Sequence, residues 1–363
     1  VATVVGIGNP LWDVFAPAAS NPAAAELAAP GSISHIEAPR MAEIVDGLRD
    51  AVWVPGGGAR NALVALAALG YTTYLVGAVG DDERAEGYRR TLSPDGIADC
   101  LVAAEAPTGV CLTLTGGGPS GSESRDERAG PRIMVAPAAA IELSAVFGLA
   151  PRGPDIVFLE GFLAPRTELA TEAVAYAAEA GARVVVDLGH PGVASQAAAI
   201  ARRAVLASTP GARRQGVREL LLFATEGEAR AAGGPARLLE PDRGRDTESG
   251  GTGTSGTGGA ATDRAAPVTL CVKRGAAGAS VHTADGEIRC PAVHPPNPNV
   301  VDTTGAGDIF AGAFVAAWTA GGATEECCRF ASQAAALSLG RYGGRLGTEA
   351  SRELVELFGR ITS

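Results

Sequence analysis

Lysine is nearly missing from this sequence: of 30 basic residues, only Lys273 is not arginine. That bias is compositional and by itself marks no site. Aromatic residues are scarce at 5%, and charged residues make up only 19%. The formal net charge is -10, which excludes duplex nucleic acid and anionic membrane as main partners, because both repel an acidic surface. No apolar run reaches the roughly 18 residues of a membrane span, and the opening Val-Ala-Thr-Val-Val-Gly has no basic leader segment. Six cysteines (Cys100, Cys111, Cys271, Cys290, Cys327 and Cys328) contain no Cys-x-x-Cys pair, and the neighbours Cys327 and Cys328 cannot form an ordinary bridge. The four histidines, His35, His190, His282 and His294, are scattered. Neither set resembles a zinc site, so reduced, buried thiols are expected, in a soluble cytoplasmic chain. What the sequence does hold is 363 residues, 46% of them hydrophobic. That is enough for a folded core, as one large domain with an appendage or two ordinary domains.

Short β-rich apolar runs alternate with Ala-rich helical stretches. Expected strands are Thr3–Ile7, Tyr74–Val79, Asp155–Glu160, Arg183–Leu188, Glu219–Ala224 and Val268–Lys273. Thr167–Gly181 reads as a helix with a Thr N-cap and a terminal glycine. Strand–helix–strand repetition predicts an α/β fold with a mostly parallel sheet. Residues 14–55 and 97–135 break the rhythm with short alternating runs such as Val110–Thr115, and are expected to form a small β appendage. The remaining stretches, 1–13, 56–96 and 136–363, make up the large domain. Within it, residues 233–267 include a Gly/Thr/Ser tract that cannot bury a core and reads as a flexible surface insertion; Gly116–Gly130 reads as a shorter loop of the same kind.

The most informative segment is Asp302-Thr-Thr-Gly-Ala-Gly-Asp308. Beyond it Phe310, Phe314 and Trp318 recur every fourth position, one face of a helix. Gly305, Ala306 and Gly307 therefore fall where a loop becomes a helix N-terminus, with backbone N–H groups and the helix dipole suited to phosphate. A carboxylate at Asp308, in the first turn, would take a proton from an alcohol attacking that phosphate. Helix capping alone is the alternative for a bare Gly-x-Gly-Asp; the complete string is more specific. No Walker Lys-Ser/Thr follows, and Gly6-Ile-Gly8 lacks the third glycine of a dinucleotide fingerprint.

With this segment in view, the chain resembles the ribokinase (PfkB-type) family of sugar and nucleoside kinases, its adenosine-kinase branch most closely. Asp302–Asp308 resembles the family's C-terminal signature, and Pro55-Gly-Gly-Gly-Ala-Arg-Asn61, leading into an expected helix at Ala62–Gly70, its N-terminal signature. Gly6–Asp13, Pro107–Thr115, Arg132-Ile-Met-Val, Glu160-Gly-Phe162, Phe223–Ala229 and Gly275–Gly278 follow in the family's order. The resemblance implies a ribokinase-like three-layer αβα sandwich with a mostly parallel central sheet, plus a small β-sheet lid that excludes water on closing. It implies an ATP- and Mg²⁺-dependent kinase acting on the primary hydroxyl of a ribofuranose compound, adenosine first among them. A free-sugar kinase and a non-catalytic nucleoside-binding protein are the alternatives. The partner is then a small nucleoside or sugar, and the chain a monomer or homodimer.

The resemblance also implies residue roles. Asp308 would be the base, Gly305, Ala306 and Gly307 the anion hole, and Arg132 a lid arginine on the transferring phosphoryl group, with a solvated surface residue as its alternative. Asn9, Asp13, Gly57, Asn61 and Phe162 would bind substrate. Asp13 is otherwise a turn former, Asn61 a helix cap and Phe162 a core aromatic. Thr225, Glu228, Lys273, Gly275 and Thr304 would face the nucleotide, Glu228 acting on Mg²⁺ through water. Asp302 would order its loop or a monovalent cation such as K⁺. Three positions depart from the family: Thr225 replaces the Asn of Asn-x-x-Glu, and Gly58 and Arg60 replace Ser and Gln. Arg60 reads as a surface helix residue or as a hint of an anionic substrate.

Overall fold

The computed structural model describes residues 1–29, 33–116, 132–136, 149–206, 217–240, 266–296 and 300–362. They fall into two compact units, one within Val1–Pro151, Gly275–Gly278 and Cys290–Ser363, the other within Arg152–Arg274 and Ala279–Arg289.

The first unit carries β1 (Thr3–Ile7), β2 (Leu11–Pro17), β3 (Ile33–His35), β4 (Val52–Gly56), β5 (Thr72–Gly80), β6 (Ile97–Ala104), β7 (Gly109–Thr115) and β8 (Arg132–Ala136). β1, β5 and β6 are parallel neighbours. The other five form a smaller second sheet in the order β3-β8-β7-β2-β4. Helix Ala38–Asp46 packs Met41, Ile44 and Val45 with Val14, Leu112 and Met134 of that sheet. The appendage expected from 14–55 and 97–135 needs correction at its edges. Residues 97–104 are β6, paired with β5 in the parallel sheet, because Ile97, Cys100 and Leu101 are apolar enough to be buried there. Leu11–Asp13, expected in the large domain, already belong to β2.

In the second unit, β9 (Ile156–Glu160), β10 (Arg183–Asp187), β11 (Leu220–Thr225), β12 (Val268–Lys273), β13 (Ala279–Thr283) and β14 (Gly286–Cys290) lie in that order across the sheet. β9 to β12 are parallel and β13 is antiparallel to β12. Val184, Val185 and Val186 are all buried, so β10 reads as a continuous apolar run rather than an alternating one. Helix Thr167–Ala180 ends at Gly181, whose φ of 60° is the left-handed cap conformation. Its N-cap is Arg166, with no side-chain cap bond, and Thr167 is the first helical residue instead of the expected cap. Residues 233–267 are not wholly irregular: Pro235–Leu239 is a short helix, while 241–265 lie outside the described residues, as does most of the loop expected at 116–130.

The first unit closes with helices Ala306–Thr319, Thr324–Ser338 and Thr348–Thr362. Helix Ala306–Thr319 packs on helix Gly58–Ala68, which starts four residues before its expected position. A Cβ at Gly312 would stand 2.2 Å from the Ala62 carbonyl oxygen, so only glycine permits this approach. Among the described residues, no helix is long and apolar enough to cross a membrane.

Candidate active site

Two polar centres among the described residues bear on function, one in each unit. In the first, strand β4 ends at Gly56, and Gly57, at φ 104°, turns the chain into helix Gly58–Ala68. A side chain at Gly57 would meet the Asn9 carbonyl oxygen at 2.6 Å, so the two backbones are in close contact there. The Asp13 carboxylate lies against Gly56, where an added Cβ would be 2.2 Å from Asp13 Oδ2. Asp13 is buried beside Cys111, its partner across β2 and β7. Burial, with the Asp13 charge and hydrogen bond, pushes the Cys111 thiol far above its ordinary range. Tyr88 donates its hydroxyl to the Gly56 carbonyl at 2.7 Å and helps fix this turn.

One helical turn on, buried Asn61 donates from Nδ2 to Asp308 Oδ2 at 3.0 Å. Asp308 stands in the first turn of helix Ala306–Thr319, whose N-cap Gly305 has φ 76°. A Cβ at Gly305 would fall 2.4 Å from the Cα of Gly344, and one at Gly344 would fall 2.4 Å from Asn61 Cγ. The Gly305–Gly307 turn, the Gly343–Gly344 turn and the Asn61 amide thus touch with no room for another methyl group. Ala306 N–H bonds back to Thr303. The N–H groups of Gly305 and Gly307 have no hydrogen-bond partner among the described residues, the ordinary state of a helix N-terminus and the property that suits it to an anion. Asp302 accepts from Thr304 N–H at 3.1 Å and Oγ1 at 2.9 Å through Oδ1, and from Gly343 N–H at 2.9 Å through Oδ2. These bonds tie Thr304 and Gly343 to one carboxylate.

Arg60 is neither a surface residue nor an open anion site: it is 1% exposed. Its guanidinium pairs with Asp95 and donates to Gly344 O at 3.2 Å and Asn61 Oδ1 at 3.3 Å. No periodicity signalled this. Arg132 lies on β8 opposite Leu114, and its side chain is outside the described residues.

The second centre gathers at the carboxyl ends of parallel strands, where α/β folds collect ligand groups. Glu160, Asp187, Thr225 and Lys273 are the last residues of β9, β10, β11 and β12. Lys273 Nζ lies 2.6 Å from Asp187 Oδ2. Thr225 and Glu228 form a capping box: Glu228 Oε2 accepts from Thr225 N–H at 2.7 Å, and Thr225 Oγ1 accepts from Glu228 N–H at 3.3 Å. Burial, then the Asp187 charge, holds the Glu228 carboxyl above the usual carboxylate range, against the opposing pull of Lys273. Asp187 was not singled out from the sequence. A carboxylate closing a run of buried valines was the available signal. Phe162 is 48% exposed and stacks at 6.4 Å with His190. Gly275 begins a turn at φ 55°, assigned to the first unit.

A family profile described as pfkB family carbohydrate kinase matches residues 37–123 and 259–351, the two stretches that carry Asn61 and Asp308. The chain belongs to this family of phosphotransferases, and its mixed α/β architecture, mostly parallel with a smaller second sheet, is ribokinase-like. Over 77 residues it is 43% identical to an ATP-dependent ribose-1-phosphate kinase of Halopiger xanaduensis, a match covering 21% of this chain and 25% of that relative's length. Among solved structures it is similar to a probable sugar kinase from Rhizobium etli (TM-score 0.72, 19% identity, 98% of each chain). The adenosine kinase of Sinorhizobium meliloti is likewise similar in fold (TM-score 0.68, 22% identity, 98% of this chain and 99% of that one).

Proposed function

We propose that this chain transfers the γ-phosphoryl group of ATP to the primary hydroxyl of a ribofuranose compound, adenosine being the first acceptor to test. The observation that carries this reading is the Asn61–Asp308 bond at the start of a helix with unengaged N–H groups. Asp308 takes the hydroxyl proton as the oxygen attacks, and Asn61 holds one carboxylate oxygen so that the acid keeps its aim. The N–H groups of Gly305 and Gly307 meet the charge that develops on the transferring group. When bound, ATP supplies the phosphoryl group and Mg²⁺ neutralises its oxygens. Two carboxylates against one ammonium in the Asp187–Glu228–Lys273 cluster leave a negative balance that fits a hydrated divalent cation, and the Lys273 ammonium is a suitable hydrogen-bond donor to phosphate oxygens. Phe162 offers an exposed aromatic face of the kind on which a nucleobase stacks.

The test is ADP release with adenosine, other nucleosides, ribose, fructose and ribose 1-phosphate. Turnover led by adenosine supports the proposal. Equal turnover of ribose would assign a free-sugar kinase. The Halopiger relative is named for ribose 1-phosphate, but here Arg60 is already committed to Asp95, so that anionic sugar is expected to be a poor acceptor. Ligand binding without turnover on any of these would overturn the kinase reading.

A further inference from the structure

Arg60 lies beneath the proposed base, connected to it by side chains alone. Arginine carries only donors, whereas an amide carries one acceptor and one donor group. Because Arg60 Nη1 faces Asn61 Oδ1 at 3.3 Å, the amide must present its NH₂ on the other side, where Asp308 Oδ2 receives it at 3.0 Å. Turned over, the amide would set its oxygen against the Asp308 carboxylate and its NH₂ against the guanidinium, two repulsive contacts in place of two bonds. The same Nη1 grips Gly344 O at 3.2 Å, the residue against which Asn61 is packed. On the far side, the guanidinium is anchored by Asp95, in the Ser93–Asp95 turn before β6.

As a device for stability this arrangement is poor. The Arg60 side chain is fully buried, an ion pair in such a place seldom outperforms apolar packing, and Arg60 Nε is buried with no partner among the described residues. What the arrangement does accomplish is orientation. We infer that Arg60 is a positioning residue, which locks the Asn61 amide in the one orientation that holds the Asp308 carboxylate for proton transfer. This rests on the reading of Asp308 as the base.

The test uses the full chain with Arg60→Lys, the double change Arg60→Met/Asp95→Asn, Asn61→Ala, and the double change placed in Asn61→Ala. The double change removes both charges together, so no unpaired ion is left inside and the fold survives. Lysine keeps the charge toward Asp95 but lacks the planar fork that reaches two acceptors at once. In Arg60→Lys and in the folded double variant, kcat is expected to fall about 10- to 100-fold while the acceptor KM stays within about twofold. In the Asn61→Ala background the double change should lower kcat no further. The side-chain NH₂ protons of Asn61, assigned by their loss in Asn61→Ala, should exchange with solvent faster in both Arg60 variants. Full kcat in the double variant, or an equal loss without Asn61, overturns the inference. Should the wild-type chain turn over no alcohol, the kinase proposal fails on its own; unchanged NH₂ exchange in the Arg60 variants would still overturn the locking role, and faster exchange would uphold it.

Discussion

The two polar centres are built on opposite plans. In the first unit, glycines at 57, 305 and 344 let backbone and amide close to distances that a Cβ would forbid, and the groups are fixed by shape. In the second unit, strand ends supply an ammonium and carboxylates that hold one another by charge, with a capping box beside them. The first plan leaves N–H groups unengaged and aimed; the second partly neutralises its own groups. Groups fixed by shape suit a step that tolerates little misplacement, whereas groups fixed by charge suit the capture of another charged species.

Substitutions sharpen this contrast. Asp308→Asn keeps the shape and removes the proposed base; turnover should fall about 10²- to 10⁴-fold, with nucleotide affinity by calorimetry nearly unchanged. A variant that stays active would take the base away from residue 308. Lys273→Met attacks the charge-held centre and leaves Asp187 facing Glu228 uncompensated. It should cost about 3–5 kcal/mol in denaturant unfolding, much of it recovered when Asp187→Asn is added. Gly344→Ala attacks the shape-held centre by pushing a methyl group into Asn61; kcat should fall about 10- to 100-fold without the recovery by charge removal expected in the other unit. Thr225→Ala removes a cap and should cost about 1 kcal/mol of stability, read as a small fall in melting temperature.

Much of the fold was legible because parallel strands buried on both faces read as unbroken apolar runs: Thr3–Ile7 and Val268–Lys273 match residue for residue. β6 was misplaced because Ile97–Ala104 mixes Asp99 with apolar residues and so imitates an exposed alternating strand. At the site, Gly305–Asp308 was legible since glycine spacing before a helix has a local cause. The Asn61–Asp308 bond joins residues 247 positions apart; the resemblance gives them separate roles, substrate binding and base, and neither it nor periodicity implies the bond between them. Arg60 reads as a surface residue because a charged residue in a helix is normally solvated, and its partners, Asp95 and Gly344, lie 35 and 284 positions away. Asp187 was overlooked for the same reason: its counter-ion is 86 positions distant.

Gly312 carries a consequence for the chemistry above it. It sits one turn below Asp308 and abuts Ala62, the neighbour of Asn61. The clearance between acid and amide is thus gauged in the hydrophobic interior, by a hydrogen atom standing where any other residue carries carbon. Bulk at that point would act as a shim, prising the two helices apart and detuning the proposed reaction without touching either the acid or the amide.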